Sequence, residues 1–205
     1  MSLATSPSYI ALDVLNERWL PFYAKGDFDR CLAIVDEEVA VKAAQRLAPL
    51  WACVEPCNRL VIPGGEGVKS LSRVEETIDW LLARSATRST LLVAVGGGAL
   101  LDFLGFVASI YKRGIPCVYV PTTLMAMIDA SIGGKTAVDY AGVKNLLGAF
   151  SLPKAVMIDP QFLSTLPQEE ILSGYWELVK YGLLSSEDLW REIKAFDPFG
   201  SIDSW

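Results

Sequence analysis

The sequence contains no histidine. That absence excludes a Ser-His-Asp or Cys-His catalytic arrangement, and any histidine-ligated metal, from within the chain. Acid–base chemistry must then use Lys, carboxylates, Tyr, a cofactor or groups supplied from elsewhere. Cysteine is sparse: Cys31, Cys53, Cys57 and Cys117 are scattered, and no second pair or histidine turns Cys53 and Cys57 into a zinc site. Small buried thiols in a reduced, cytoplasmic setting are the expected reading. No apolar run reaches the length of a membrane span, and the residues after Met1 lack the basic-then-apolar pattern of a secretory leader, so neither is expected. Positive charge is in deficit too. A net charge of −6 argues against a general nucleic-acid or anionic-membrane binder, while leaving room for a small anionic substrate held by a local Lys/Arg cluster.

Apolar residues are plentiful, at 52% of the 205 residues, enough for a well-buried core. The first thirty residues read as an irregular opening segment. Short apolar runs then alternate with helical spacing. Strands are predicted at 31–35, 59–62, 91–95, 117–120 and 155–158, with helices at 39–51, 71–83 and 98–111. This alternation predicts an α/β fold, a Rossmann-like parallel sheet flanked by helices. From about Gln168 the pattern is purely helical, over 169–184 and 187–196. The expected division is an α/β unit over 1–167 and the beginning of a helical second domain over 168–205.

The run from Ile128 to Asn145 stands out, with Asp129, Gly133-Gly134-Lys135 and Lys144-Asn145 set in an otherwise apolar sequence. Such groups are costly to bury unpaired, which points to a polar, phosphate-bearing ligand. Gly134-Lys135-Thr136 imitates the end of a nucleoside-triphosphate loop. That motif needs a glycine five positions before its last glycine, where this chain has Asp129.

Gly96-Gly97-Gly98 lies between a predicted strand and helix, a junction suited to a pyrophosphate, although a tight strand-to-helix turn accounts for the same glycines. Asp102, in the first turns of that helix, faces the loop. Asp36 ends the first predicted strand, where a carboxylate can accept ribose hydroxyls, and Thr122-Thr123 ends another. All belong to the carboxyl edge, where open α/β sheets bind ligands. The segment 64–69 reads either as a surface loop or as a flap bringing Glu66 and Lys69 to a nucleotide. Glu177 and Lys180 share a helix face, as a simple intrahelical ion pair or as groups held by a ligand or metal amid Tyr175, Trp176, Leu178 and Val179.

Gly96–Phe106, Tyr111–Gly114, Val120–Leu124, Asp129–Asn145, Gly148–Phe150, Leu163–Pro167 and Ser173–Gly182, in this order and spacing, together resemble 3-dehydroquinate synthase, within the sugar-phosphate cyclases. The resemblance covers about Val35 to Leu184. It implies NAD and a divalent metal, zinc or cobalt, and conversion of 3-deoxy-D-arabino-heptulosonate 7-phosphate to 3-dehydroquinate and phosphate in the shikimate pathway. By matching position it assigns Asp129, Lys135, Asn145 and Lys180 to substrate, Lys135 and Asn145 toward its phosphate. Arg113 is assigned to a neighbouring subunit's site, in a homodimer of the full-length protein. Asp36, Glu66, Lys69, Gly97, Gly98, Ala99, Asp102, Thr122, Thr123, Lys144, Phe162 and Thr165 are assigned to NAD, and Glu177 to the metal.

There are departures. The family's histidine metal ligands and further basic substrate contacts belong to a helical C-terminal domain, and this sequence has none of them, so the chain by itself is expected to be inactive. Trp176 stands where a small residue is usual, Asp139 where an asparagine is usual, and Glu38 replaces the asparagine that usually follows Asp36. Other cyclases of valiolone or inosose type, a related polyol dehydrogenase, and a stand-alone NAD-binding module are the alternatives.

Overall fold

The computed structural model describes residues 10–12, 23–24 and 26–200. Its centre is a six-stranded sheet in the order β1-β8-β5-β4-β2-β3, with every pair parallel. The strands are β1 (Ile10–Leu12), β2 (Arg30–Asp36), β3 (Arg59–Ile62), β4 (Thr90–Gly96), β5 (Cys117–Pro121) and β8 (Ala155–Ile158). All residues of β4, β5 and β8 are buried. Burial on both faces is why these strands read as unbroken apolar runs rather than as alternating patterns.

Helices α1 (Glu37–Lys42), α2 (Ala48–Cys53), α3 (Leu71–Ala83) and α4 (Gly98–Ile110) fall between the strands, and α5 (Gln168–Leu184) and α6 (Glu187–Ala195) follow them. Ser70 caps α3 by accepting from the Arg73 amide, and Ser186 caps α6 by accepting from the Leu189 amide. Helix α4 buries Leu100, Leu101, Phe103, Leu104, Gly105, Val107 and Ala108 against β4, β5 and an antiparallel hairpin. Gly105 is where the layers come closest. A Cβ there would lie 2.0 Å from the Tyr119 hydroxyl and 2.5 Å from the Thr136 methyl.

That hairpin, β6 (Lys135–Tyr140) and β7 (Val143–Phe150), was not expected from the sequence. Its turn places Ala141 and Gly142 at φ 51° and 78°, the signature of a two-residue turn whose twist suits a hairpin. Two other expectations are corrected. The helix expected over 39–51 is broken, because the α1 hydrogen bonding stops at Ala43 and Pro49 opens a new helix. Within the supposedly irregular opening, Ile10–Leu12 adds the edge strand β1 to β8. Most of the remaining opening lies outside the described residues.

Candidate functional site

The carboxyl ends of β2, β4, β5 and β8 carry Asp36, Gly96, Pro121 with Thr122-Thr123, and Asp159. These ends are drawn tightly together. The Thr122 amide donates to the Gly96 carbonyl at 3.0 Å. A Cβ on Gly97 would stand 3.2 Å from the Thr123 methyl, and one on Gly98 3.1 Å from the Ala130 Cβ. A Cβ on Gly64 would fall 1.7 Å from an Asp36 carboxylate oxygen, so the loop backbone lies directly against that acid. Helix α4 has Gly97 as its N-cap and no side-chain cap, leaving the Gly98 and Ala99 end of a thirteen-residue helix open to an anion. Thirteen residues provide a substantial macrodipole behind those amides.

Lys69 joins this edge to the polar run. Its side chain is only 3% exposed, and its ammonium donates to Asp102 Oδ2 at 2.9 Å and to the Asn145 side-chain oxygen. Burial raises the Asp102 carboxyl above its ordinary value, opposed by the hydrogen bond and charge of Lys69. Nearby, Lys144 pairs with Glu66 at 3.4 Å in solvent. The Gly64–Lys69 segment is thus docked on β7, which the sequence left open between surface loop and flap.

A second group gathers around α5. Asp129 lies within a π-helical turn, Ala126–Ala130, a local distortion frequent at functional sites. Its carboxylate accepts the Tyr181 hydroxyl at 2.8 Å. One turn earlier, Glu177 accepts from Lys180 at 2.5 Å. Both donors are held protonated to higher pH: Tyr181 by its bond to Asp129, and Lys180 by its bond to Glu177. Gly174 lets α5 approach this turn, since a Cβ there would lie 2.6 Å from Leu124 Cβ and 2.7 Å from the Met125 amide nitrogen. Tyr181 was missed in the sequence reading, because nothing local distinguishes it from the aromatic residues beside it.

Other predicted residues behave differently. Lys135 is exposed at the start of β6 and forms no ion pair among the described residues. Phe162, in the turn after β8, is fully buried, so its ring belongs to the core, and its amide donates to the Asp159 carbonyl at 3.2 Å. The Thr165 hydroxyl donates to the Phe162 carbonyl at 2.9 Å. Arg113 is exposed between α4 and β5, at the amino edge of the sheet, and is not brought together with the others. A cavity of about 580 Å³ also opens at that amino edge, lined by Asp27, Arg88, Tyr119 and Lys154 among others, and it holds none of the predicted residues.

The glycine cradle and open helix end fit a dinucleotide. A divalent metal is different. No group of three or more His, Cys, Asp or Glu side chains able to hold one occurs among the described residues, and Glu177 is engaged by Lys180. One carboxylate does not make up the donor set of a catalytic zinc site.

Residues 59–173 match the family model described as 3-dehydroquinate synthase N-terminal. The chain is 46% identical over 149 residues to the 3-dehydroquinate synthase of Rhodospirillum rubrum, spanning 71% of this chain and 39% of that protein. It is 42% identical over 167 residues to that of Staphylococcus aureus, spanning 82% of this chain and 47% of that protein. A crystal structure of 2-deoxy-scyllo-inosose synthase, complexed with carbaglucose-6-phosphate, NAD+ and Co2+, superposes with TM-score 0.75 at 31% identity, covering 85% of this chain and 48% of that one. The chain therefore spans about half the length, or less, of these relatives. A match over so much of its own length settles its membership: the chain belongs to the 3-dehydroquinate synthase N-terminal family.

Proposed function

We propose that the chain is the nucleotide-holding part of a cytoplasmic 3-dehydroquinate synthase, a lyase converting 3-deoxy-D-arabino-heptulosonate 7-phosphate to 3-dehydroquinate and phosphate. Asp36 accepts the ribose hydroxyls of NAD, and the amides of Gly97, Gly98 and Ala99 receive its pyrophosphate at the α4 end. Thr122, Thr123, Glu66, Lys69, Asp102 and Lys144 line the same edge, with the backbone around Phe162 and Thr165 closing it. NAD bound there supplies the hydride acceptor and donor for a ring alcohol. Lys135 and Asn145 take the substrate phosphate, while Asp129 and Lys180 hold its hydroxyl side. Arg113, at the far edge, serves the neighbouring subunit of a homodimer. Glu177 is this chain's one contribution to a zinc or cobalt site, and the residues present do not complete that site.

The observation carrying this reading is the buried Lys69 ammonium, which ties Asp102 of the nucleotide edge to Asn145 of the phosphate cradle. Calorimetry with NAD on the 205-residue chain tests it. Saturable binding is expected, weakened about tenfold by Asp36→Ala, equivalent to about 1.4 kcal/mol; absence of heat at millimolar NAD overturns it. The chain alone is expected to release no phosphate from the heptulosonate phosphate, and measurable release would refute that part. A second reading, a cyclase of inosose type, is favoured by the 31% identity to 2-deoxy-scyllo-inosose synthase. The higher identity to dehydroquinate synthases, 42–46%, favours the first.

A further inference from the structure

The β6–β7 ladder runs in register from Lys135↔Phe150 to Val138↔Leu147 and resumes at Tyr140↔Val143. Between those pairs a single residue, Asp139, faces Lys144, Asn145 and Leu146. Such a bulge strips local groups of their ladder partners and re-aims side chains. Asn145, in its middle, adopts φ 54°, a left-handed conformation that asparagine tolerates better than most residues. Its backbone amide donates to the Asp139 carboxylate at 2.8 Å. The Asp139 amide in turn donates to the Lys69 carbonyl at 2.9 Å. One residue therefore holds the main chains of both groups whose side chains meet, the Lys69 ammonium and the Asn145 carboxamide.

We propose that Asp139 is a positioning residue: its carboxylate fixes the bulge so that Asn145 is presented to Lys69 and to the phosphate cradle. The functional half of this statement rests on the reading that Lys69 and Asn145 face nucleotide and substrate. Asp139 itself touches neither ligand and acts only through the Asn145 backbone. Without its acceptor the exposed Asn145 amide is left to solvent, and the left-handed residue loses what selects that conformation. The backbone tie from Asp139 to Lys69 survives side-chain replacement, so the effect is confined to β7.

The test is residue-resolved amide hydrogen exchange, together with NAD calorimetry, on the full chain. Asp139→Ala is expected to speed exchange of the Asn145 amide at least tenfold while the amide of Val93 in β4 keeps its rate, and to weaken NAD at least threefold. Asp139→Asn, which keeps an acceptor oxygen at the same reach, is expected to restore both to within about twofold of the parent. Asp139→Ser, too short to reach the amide, serves if the alanine variant does not fold and is expected to behave like it. Unchanged Asn145 exchange overturns the proposal, as does an equal loss of protection at Val93, which marks general destabilisation. Failure of the parent chain to bind NAD would strike the functional reading instead, and Asn145 exchange would still decide the role of Asp139.

Discussion

The Lys69 ammonium donates to the Asp102 carboxylate at 2.9 Å across 33 residues of sequence, from a side chain only 3% exposed to one 24% exposed. This bond joins the loop after β3 to the first turns of α4, and the same ammonium reaches on to Asn145. Lys69→Met removes the charge that opposes the burial of Asp102. The expected cost is about 2 kcal/mol at neutral pH, in the range for a hydrogen bond to a charged group.

The pH dependence of that cost has a definite sign. Burial already raises the Asp102 carboxyl above its ordinary 3.8. A carboxyl raised on folding contributes stability fully present below its unfolded value, and lost as pH rises through its folded value. Removing Lys69 raises it further, so the destabilisation should be small in acid and grow toward neutrality. Urea denaturation of parent and variant from about pH 3 to about pH 7 measures it. A difference that shrinks with rising pH would contradict the argument.

Gly64 provides a probe that leaves the core alone. An alanine there must displace the Asp36 carboxylate, whose oxygen lies 1.7 Å from the new Cβ, and a side-chain end can yield without moving the backbone. The displaced carboxylate also accepts from the Glu38 amide as the N-cap of α1, so Gly64→Ala is expected to cost about 1 kcal/mol of stability. NAD binding should weaken about tenfold in calorimetry. Gly67→Ala meets nothing within 4 Å and serves as the control, with neither quantity moved.

The strands of the main sheet were legible because burial on both faces leaves an uninterrupted apolar run, as in Leu91–Val95 and Ala155–Ile158. The β6–β7 hairpin was not. Lys135, Asp139, Lys144 and Asn145 break its alternation, and its turn is Ala-Gly rather than the Asn-Gly that signals such turns. The polar run was visible as an anomaly. That Lys69 is its partner depends on α4 packing between sheet and hairpin, a relationship no local pattern encodes. Asp36 and the glycines could be placed at the carboxyl edge, with Asp102 just behind it in α4, because that edge follows from parallel topology alone. Tyr181 and Asp139 act by hydrogen bonds across 52 and 6 residues, with no spacing rule to reveal them.

The four thiols should react in a fixed order. Cys57 is exposed and Cys53 half-buried, while Cys31 and Cys117 are buried. Burial pushes the Cys31 thiol up to about 12, and that of Cys117 higher still. Only thiolate attacks a disulfide reagent, so the native chain should be labelled first at Cys57, then slowly at Cys53. Cys31 and Cys117 should react only on unfolding. Mass spectrometry of partially labelled protein checks this, and early modification of Cys117 would contradict the burial of β5.

Tyr181 should respond in a way that separates its bond from its packing. Its hydroxyl is given to Asp129, which raises the phenol above its ordinary 10.0 because ionisation would give up that hydrogen bond and, to a smaller extent, set two negative groups side by side. Asp129→Asn keeps an acceptor but removes the charge, so the Tyr181 phenol is expected to titrate at lower pH in ultraviolet difference spectra, compared with a Tyr181→Phe blank. Stability should change by less than about 1 kcal/mol in either variant, because Asp129 is exposed. Gly174→Ala acts on packing instead: its Cβ meets Leu124 and the Met125 backbone, which cannot both retreat. A loss of about 1–3 kcal/mol is expected there. The phenol should then fall toward its ordinary titration as α5 is pushed away from the π-helical turn; a Tyr181 titration unmoved by both Asp129→Asn and Gly174→Ala would mean that the hydroxyl does not rest on Asp129 in solution.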